Sequence, residues 1–278
     1  MTARGRVAAF GALLAAIFAL AAIAGRAAGP ITGDEPSDHA RTGAPDGHGR
    51  GADASTHDAG APAGAAHPRL VARETTLAAG RPQRLRFEIQ DVGGARVRDF
   101  EIEQGRRMHL IVVRRDLRRF QHLHPTQDAD GRWSARVTLP DAGVYQAFAD
   151  FQTAGERHAL GVDLFAAGRF EPLALPPERA TASAGGYDVA LHAHEGKLEF
   201  AVSRGGRAVA DLQPYLGADG HLVMLRAGDL AYEHVHPLAG RRLAFESSAA
   251  SPGTYRLFLQ FRHADRVHTV AFTHEVAR

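Results

Sequence analysis

One segment of the chain occurs twice, and that repeat limits the fold more than any other feature. Met108–Pro125 reads MHLIVVRRDLRRFQHLHP, and Gly220–Pro237 reads GHLVMLRAGDLAYEHVHP. With a shift of 112 residues, His109 falls on His221, His122 on His234, His124 on His236 and Pro125 on Pro237. Leu110/Leu222 and Arg114/Arg226 also match while most other positions differ, so the histidines persist where their neighbours have drifted. A repeat of this length means two copies of one folded unit rather than a solenoid of short repeats. In 278 residues each copy has room for a domain of ordinary size.

Each unit reads as a set of short strands. Arg84–Ile89 alternates, a Gly93-Gly94 turn follows, and Met108–Val113 is a continuous apolar run. Arg132–Leu139, Tyr145–Phe151 and His158–Phe165 read as further strands, and no stretch carries a helical period with caps. The expected class is all-β, with two tandem immunoglobulin-like Greek-key β-sandwich domains. Asp141-Ala142-Gly143-Val144-Tyr145 and Ser251-Pro252-Gly253-Thr254-Tyr255 look like tyrosine corners, in which a phenol ties back to the backbone of a sandwich crossing. Beyond them the shift is 110, matching Phe148/Phe258, Phe151/Phe261 and His158/His268. The aromatic matches read as core packing.

The remaining segments differ in kind. Residues 1–29 carry Arg4 and Arg6, an apolar run from Val7 to Ala24 and a small-residue exit, the pattern of a secretory signal peptide. The run also reaches the length of a membrane span, so a retained anchor at residues 7–25 is open as well. Either way the rest is expected in the periplasm, at the cell surface or secreted. Residues 30–67, rich in Gly, Ala, Asp, Pro, Ser and Thr, read as a disordered linker, with His39, His48, His57 and His67 along it. The first unit spans 68–167. A second linker of Pro, Ala and small residues covers 168–186, and the second unit covers 187–278. Such a layout predicts that limited proteolysis yields two stable fragments of roughly 100 residues each.

Composition narrows the chemistry. Cysteine is absent, which excludes disulfides, thiolate ligands and a lipid-modified cysteine. A net charge of +2 gives no nucleic-acid reading. Histidine, at 16 residues, is the unusual count. In a strand, residues i and i+2 share a face, so His122 and His124 are neighbours and can lean onto one ion. Pro125 cannot continue a ladder and puts the pair at a strand end. His109 and His158 lie on other strands and can complete the set; His221, His234, His236 and His268 repeat it. All-imidazole ligation suits copper first and zinc second. A single strand histidine is more often a hydrogen-bonding rim residue, but repeated pairs in register are harder to read that way. His192 and His194 form a further His-x-His with no counterpart in the first unit. With no Ser or Cys nucleophile motif, HExxH or phosphate loop, the chain is not expected to be an enzyme.

The pattern MHLIVV…HxHP followed by GxYxxFxxF…H resembles modules of bacterial extracytoplasmic proteins associated with copper and heavy-metal handling, some of which accompany metal-efflux adaptors. The resemblance covers both folded units and not the first 67 residues. It implies β-sandwiches, a role in metal binding, delivery or tolerance, and a membrane metal transporter or efflux component as partner. By residue match it extends to His109, His122, His124 and His158 and their counterparts. Gly220 stands where the first copy has Met108, which leaves the equivalence of the two sites open. The alternative is an immunoglobulin-like interaction or scaffold module of the cell envelope, with structural histidines and no metal. The export reading predicts that residues 1–67, fused to a reporter active only outside the cytoplasm, give signal; a dark reporter would overturn it.

Overall fold

The computed structural model describes residues 67–233, 235–238, 240, 243–247 and 251–277. The expected signal or anchor, the expected disordered linker up to residue 66, and His234 lie outside the described residues. Every helix or strand element among the described residues is a β-strand.

In the first unit these are β1 (Arg69–Ala72), β2 (Thr76–Leu77), β3 (Pro82–Gln90), β4 (His109–Arg114), β5 (Gln121–Leu123), β6 (Thr126–Gln127), β7 (Trp133–Thr138), β8 (Gly143–Thr153) and β9 (Glu156–Ala166). They form two sheets, β1-β3-β7-β6 and β2-β9-β8-β4-β5. The chain crosses between sheets from β3 to β4, from β5 to β6 and from β7 to β8, which is the immunoglobulin-like Greek key. Leu85, Phe87, Ile89, Trp133 and Val137 of one sheet pack on Leu110, Val112, Tyr145 and Phe151 of the other. At the corner Tyr145 Oη donates to the Asp141 carbonyl at 2.9 Å and accepts from Asp141 N at 3.2 Å.

The second unit contains β10 (Thr181–Ala184), β11 (Tyr187–His194), β12 (Lys197–Arg204), β13 (Arg207–Ala208), β14 (Gly220–Arg226), β15 (Tyr232–Glu233), β16 (Val235–Pro237), β17 (Ala244–Ser247), β18 (Gly253–His263) and β19 (Arg266–Val276). Its sheets run β10-β11-β12-β17-β16, with β13 on β12, and β15-β14-β18-β19. The second corner is present too, with Tyr255 Oη donating to the Ser251 carbonyl at 2.7 Å. The unit begins earlier than its sequence suggests. Thr181–Ala184, read as linker, pairs with β11 through the two-residue turn Gly185-Gly186, whose φ values of 61° and 83° suit glycine. The turn is short and glycine-rich, so composition alone made it look like linker.

The two sandwiches are joined face to face. Leu110 and Val112 point into the first core, while Ile111 and Val113 point the other way. There they meet Val223, Leu225 and Phe258 of the second unit in a third apolar cluster, together with Leu117, Phe148, Leu230 and Tyr232. Being buried on both faces explains why β4 is a continuous apolar run rather than an alternating one. The contacts come in pairs related by the repeat: Phe148 meets Tyr232 with centroids 5.4 Å apart, and its counterpart Phe258 stacks on Phe120, the counterpart of Tyr232, at 4.1 Å. The seam therefore has approximate two-fold symmetry within one chain.

Two fragments released by proteolysis are thus expected to stay associated through this packing. The connecting segment is also tied down: Asp116 accepts from Leu173 N at 3.0 Å, and Glu178 accepts from Glu275 N at 3.0 Å. Cleavage within residues 169–180 should leave two halves that co-elute on size exclusion. Phe258→Asp puts a charge into the apolar seam and should make the nicked halves elute separately. Separation of the nicked parent would overturn the interface.

Candidate functional site

Three of the marked histidines converge at one end of the seam. Backbone pairing of β4 with β5 puts Ile111 opposite His122, so His109, Ile111 and His122 share the seam face. β5 ends at Leu123, and His124 follows immediately before Pro125, two positions on from His122. One nitrogen from each of His109, His122 and His124 lies within 4.8 Å of the others. His221, from the second unit, lies against them, its ring 4.6 Å from that of His122 and stacked at 5.5 Å on that of His109. The near-axis position of the repeat thus meets its own copy.

The outer hydrogen bonds favour one placement of the protons. His109 Nε2 lies 3.2 Å from the Glu103 carbonyl oxygen, which only accepts, so Nε2 carries the proton and Nδ1 the lone pair. Gln260 Nε2 donates to Thr269 Oγ1 at 3.1 Å, which turns Gln260 Oε1 toward His122 Nδ1 at 2.6 Å. That bond puts the His122 proton on Nδ1 and the lone pair on Nε2. His109 Nδ1 and His122 Nε2 then face one another at 2.9 Å, lone pair to lone pair. With the Gln260 amide turned this way, the two nitrogens need a positive centre between them, either a proton or a metal ion. A proton is disfavoured: burial first, then the neighbouring His109, lowers the His122 value to about 3. Burial, then His109 and Arg106, lowers that of His124 to about 4. His124 Nε2 is buried with no protein hydrogen-bond partner. His122 and His124 are therefore neutral at pH 7, and the site is rich in imidazole nitrogens. Its donor set fits a borderline-soft divalent cation.

The other expected ligands lie elsewhere. Register explains His158: it pairs with Phe151, one residue on from the Asp150 that pairs with His109, so it sits on the opposite face of the sheet. There its ring packs on Phe151 at 5.3 Å. His268 repeats this in the second unit, pairing with Phe261 and packing on Tyr187 at 4.4 Å. The expectation that either completes a ligand set is corrected: both are core-face aromatic partners. His236 lies on β16, which belongs to the other sheet from β14, opposite Glu246 and exposed. Of the expected second set, His221 belongs to the seam, His268 to the core face and His236 to the other sheet, while His234 lies outside the described residues. His192 and His194 are exposed on β11. His263 and His274 bridge elements, to Tyr187 at 2.7 Å and Glu178 at 2.9 Å.

Several residues of the site carry no mark in the motif. Gln260 orients His122 across the seam, and Glu103 orients His109. Asp150, the repeat counterpart of Gln260, is buried and accepts from Tyr232 Oη at 3.1 Å. The available signal was alternation: Asp150 and Gln260 are polar residues set in step with Phe148 and Phe258, on a strand whose other face is core.

Fold and seam together define a tandem immunoglobulin-like sandwich protein. Residues 68–167 and 182–278 match the model of the family described as "Domain of unknown function (DUF8832)", and the chain belongs to that family. Comparison with curated proteins gives no match. Among solved structures, the chain is similar to the Escherichia coli adhesin FdeC, at 12% identity, over 77% of this chain and 65% of that one, with a TM-score of 0.27. It is similar to Salmonella alpha-2-macroglobulin at 15% identity, over 77% and 15%, with a TM-score of 0.28. The Yersinia pseudotuberculosis adhesin InvE aligns at 9% identity, over 75% and 59%, with a TM-score of 0.24. The chain spans under two thirds of each, and at these values the alignments carry no functional weight.

The lowered histidine values have a consequence for stability. Both folded values lie below the ordinary one of about 6.5, so the unfolded chain takes up protons first as pH falls. In metal-free buffer the melting temperature should decline between about pH 6.5 and pH 4. His122→Gln with His124→Gln should flatten that slope; an unchanged slope would show that these imidazoles do not carry it.

Proposed function

We propose that this chain is an extracytoplasmic metal-binding protein that holds one copper ion, with zinc as the second choice, on His109, His122 and His124, under His221. The observation that supports it is the 2.9 Å approach of His109 Nδ1 to His122 Nε2, beside His124 and with an oxygen behind each of the two rings. Ligating imidazoles are held this way in metal sites, with the other nitrogen donating outward. Three neutral imidazoles leave a coordination position open, which suits a carrier that receives and passes on its ion. The resemblance to copper-handling modules agrees with this, and it extends the proposal to metal delivery or tolerance with a membrane transporter or efflux component as partner. The basic-apolar start of the chain supports an extracytoplasmic location.

A second reading is an immunoglobulin-like interaction or scaffold module of the cell envelope. It is favoured by the structural use of so many histidines: His158 and His268 pack on aromatics, and His122 bonds across the seam to Gln260.

Titration with Cu(II) separates the two. The chain used should carry Asn at His39, His48, His57 and His67, so that the N-terminal histidines do not mask the result. The expected result is one tightly held ion with nitrogen coupling in the electron paramagnetic resonance spectrum. His122→Ala with His124→Ala should abolish it. Gln260→Leu, which touches no ion, should weaken it about 10- to 100-fold. Because the ligands stay neutral well below pH 6.5, affinity should hold to about pH 5 before falling. Absence of stoichiometric metal would leave the interaction module as the function.

A further inference from the structure

At the other mouths of the seam the two-fold symmetry breaks, and the break is one of charge. In the first unit Gln146 and Asp163 pair across β8 and β9; in the second, Arg256 and Thr273 hold the same register across β18 and β19. A hairpin of the other unit reaches each mouth, with Leu230 at the first and its counterpart Arg118 at the second, two residues before the Phe120 that stacks on Phe258 beside Arg256. The first mouth is balanced, because Arg115 reaches Asp163 at 2.8 Å. At the second, Ala227 replaces Arg115 and Thr273 replaces Asp163, while two arginines enter.

Those two arginines lack what their neighbours have. Arg114 pairs with Asp116, Arg115 with Asp163 and Arg119 with Asp141. Arg118, in the same hairpin, donates to the Ala174 carbonyl at 2.7 Å and has no carboxylate among the described residues. Arg256 is only 7% exposed, donates Nη1 to Thr273 Oγ1 at 2.9 Å and lies 6.0 Å from the Phe258 ring, again without a carboxylate. The Nε groups of both are buried with no hydrogen-bond partner. Buried guanidinium groups are ordinarily paired, because an unmatched charge out of water is costly. Desolvation, followed by the like charge of Arg118, lowers the Arg256 value to about 10.

We infer that Arg118 and Arg256 hold a small oxyanion of the phosphate or sulfate kind at the seam between the two units. A guanidinium presents N–H donors in a planar fork that matches such oxygens, and two of them supply the missing counter-charge. This site is independent of the histidine cluster.

Equilibrium dialysis of the full chain with radiolabelled inorganic phosphate, with a chelator present and ionic strength held by chloride, tests it. One phosphate per chain is expected. Arg256→Gln, which installs the side chain carried at the balanced mouth, should weaken binding about tenfold or more, and Arg118→Leu, which installs the side chain of its counterpart Leu230, should do the same. Arg115→Ala should leave it unchanged. Displacement by sulfate would mark a general oxyanion site, and resistance to sulfate a phosphate site; both support the inference. Without phosphate, Arg256→Gln should melt no lower than the parent, since it removes an uncompensated charge. If that variant fails to fold, the half-buried Arg118 is read alone. No phosphate bound, or equal affinity in the parent and the Arg118 variant, would overturn the site.

Discussion

The packing of the two units on one another depends on one sheet face being apolar where an isolated sandwich would leave it wet. Ile111, Val113 and Phe148 of one unit bury themselves against Val223, Leu225 and Phe258 of the other. Removing apolar surface of this kind from water is worth about 25 cal/mol per Å2. The same packing excludes water from the polar groups at its margins. There His109, His122 and His221 become close neighbours, and there Arg256 loses its solvent. His109, His122 and His124 belong to the first unit, and the second closes over them with His221 and Gln260. The surroundings of both clusters thus come from the association of the repeats, whereas the sandwich fold itself is shared by many unrelated functions.

The fold was legible to a large extent. Short strands, turn signals and two tyrosine corners pointed to paired sandwiches, because each is a local pattern with a local cause. Same-face placement of His122 and His124 also followed from strand geometry, and Pro125 does close the strand. The ligand set was legible only in part. His158 lies on a strand in the right unit, but a one-residue step in register against β8 sends its ring into the core face beside Phe151. Periodicity assigns a face only once the pairing is known, and the pairing is a tertiary fact.

The seam was the larger omission. Its trace was present in β4, whose run of apolar residues does not alternate as a half-exposed strand does. A strand buried on both faces needs a partner on each, and within one sandwich only one face is covered. The repeat itself supplied the second partner. His221 was assigned to a separate second site because the motif repeats, whereas a symmetric seam brings equivalent positions toward each other instead of keeping them apart.

Covalent linkage of the two copies has a consequence for how such a face can change. In a homodimer joined through an isologous face, every substitution is made twice, so an arginine brought to one mouth appears at both. Here the copies are written separately. Gln146 and Arg256 occupy one register with different charges, and Asp150 and Gln260 do the same beside the histidines. The duplication keeps the binding strength of a self-complementary surface while letting each half of it mutate on its own.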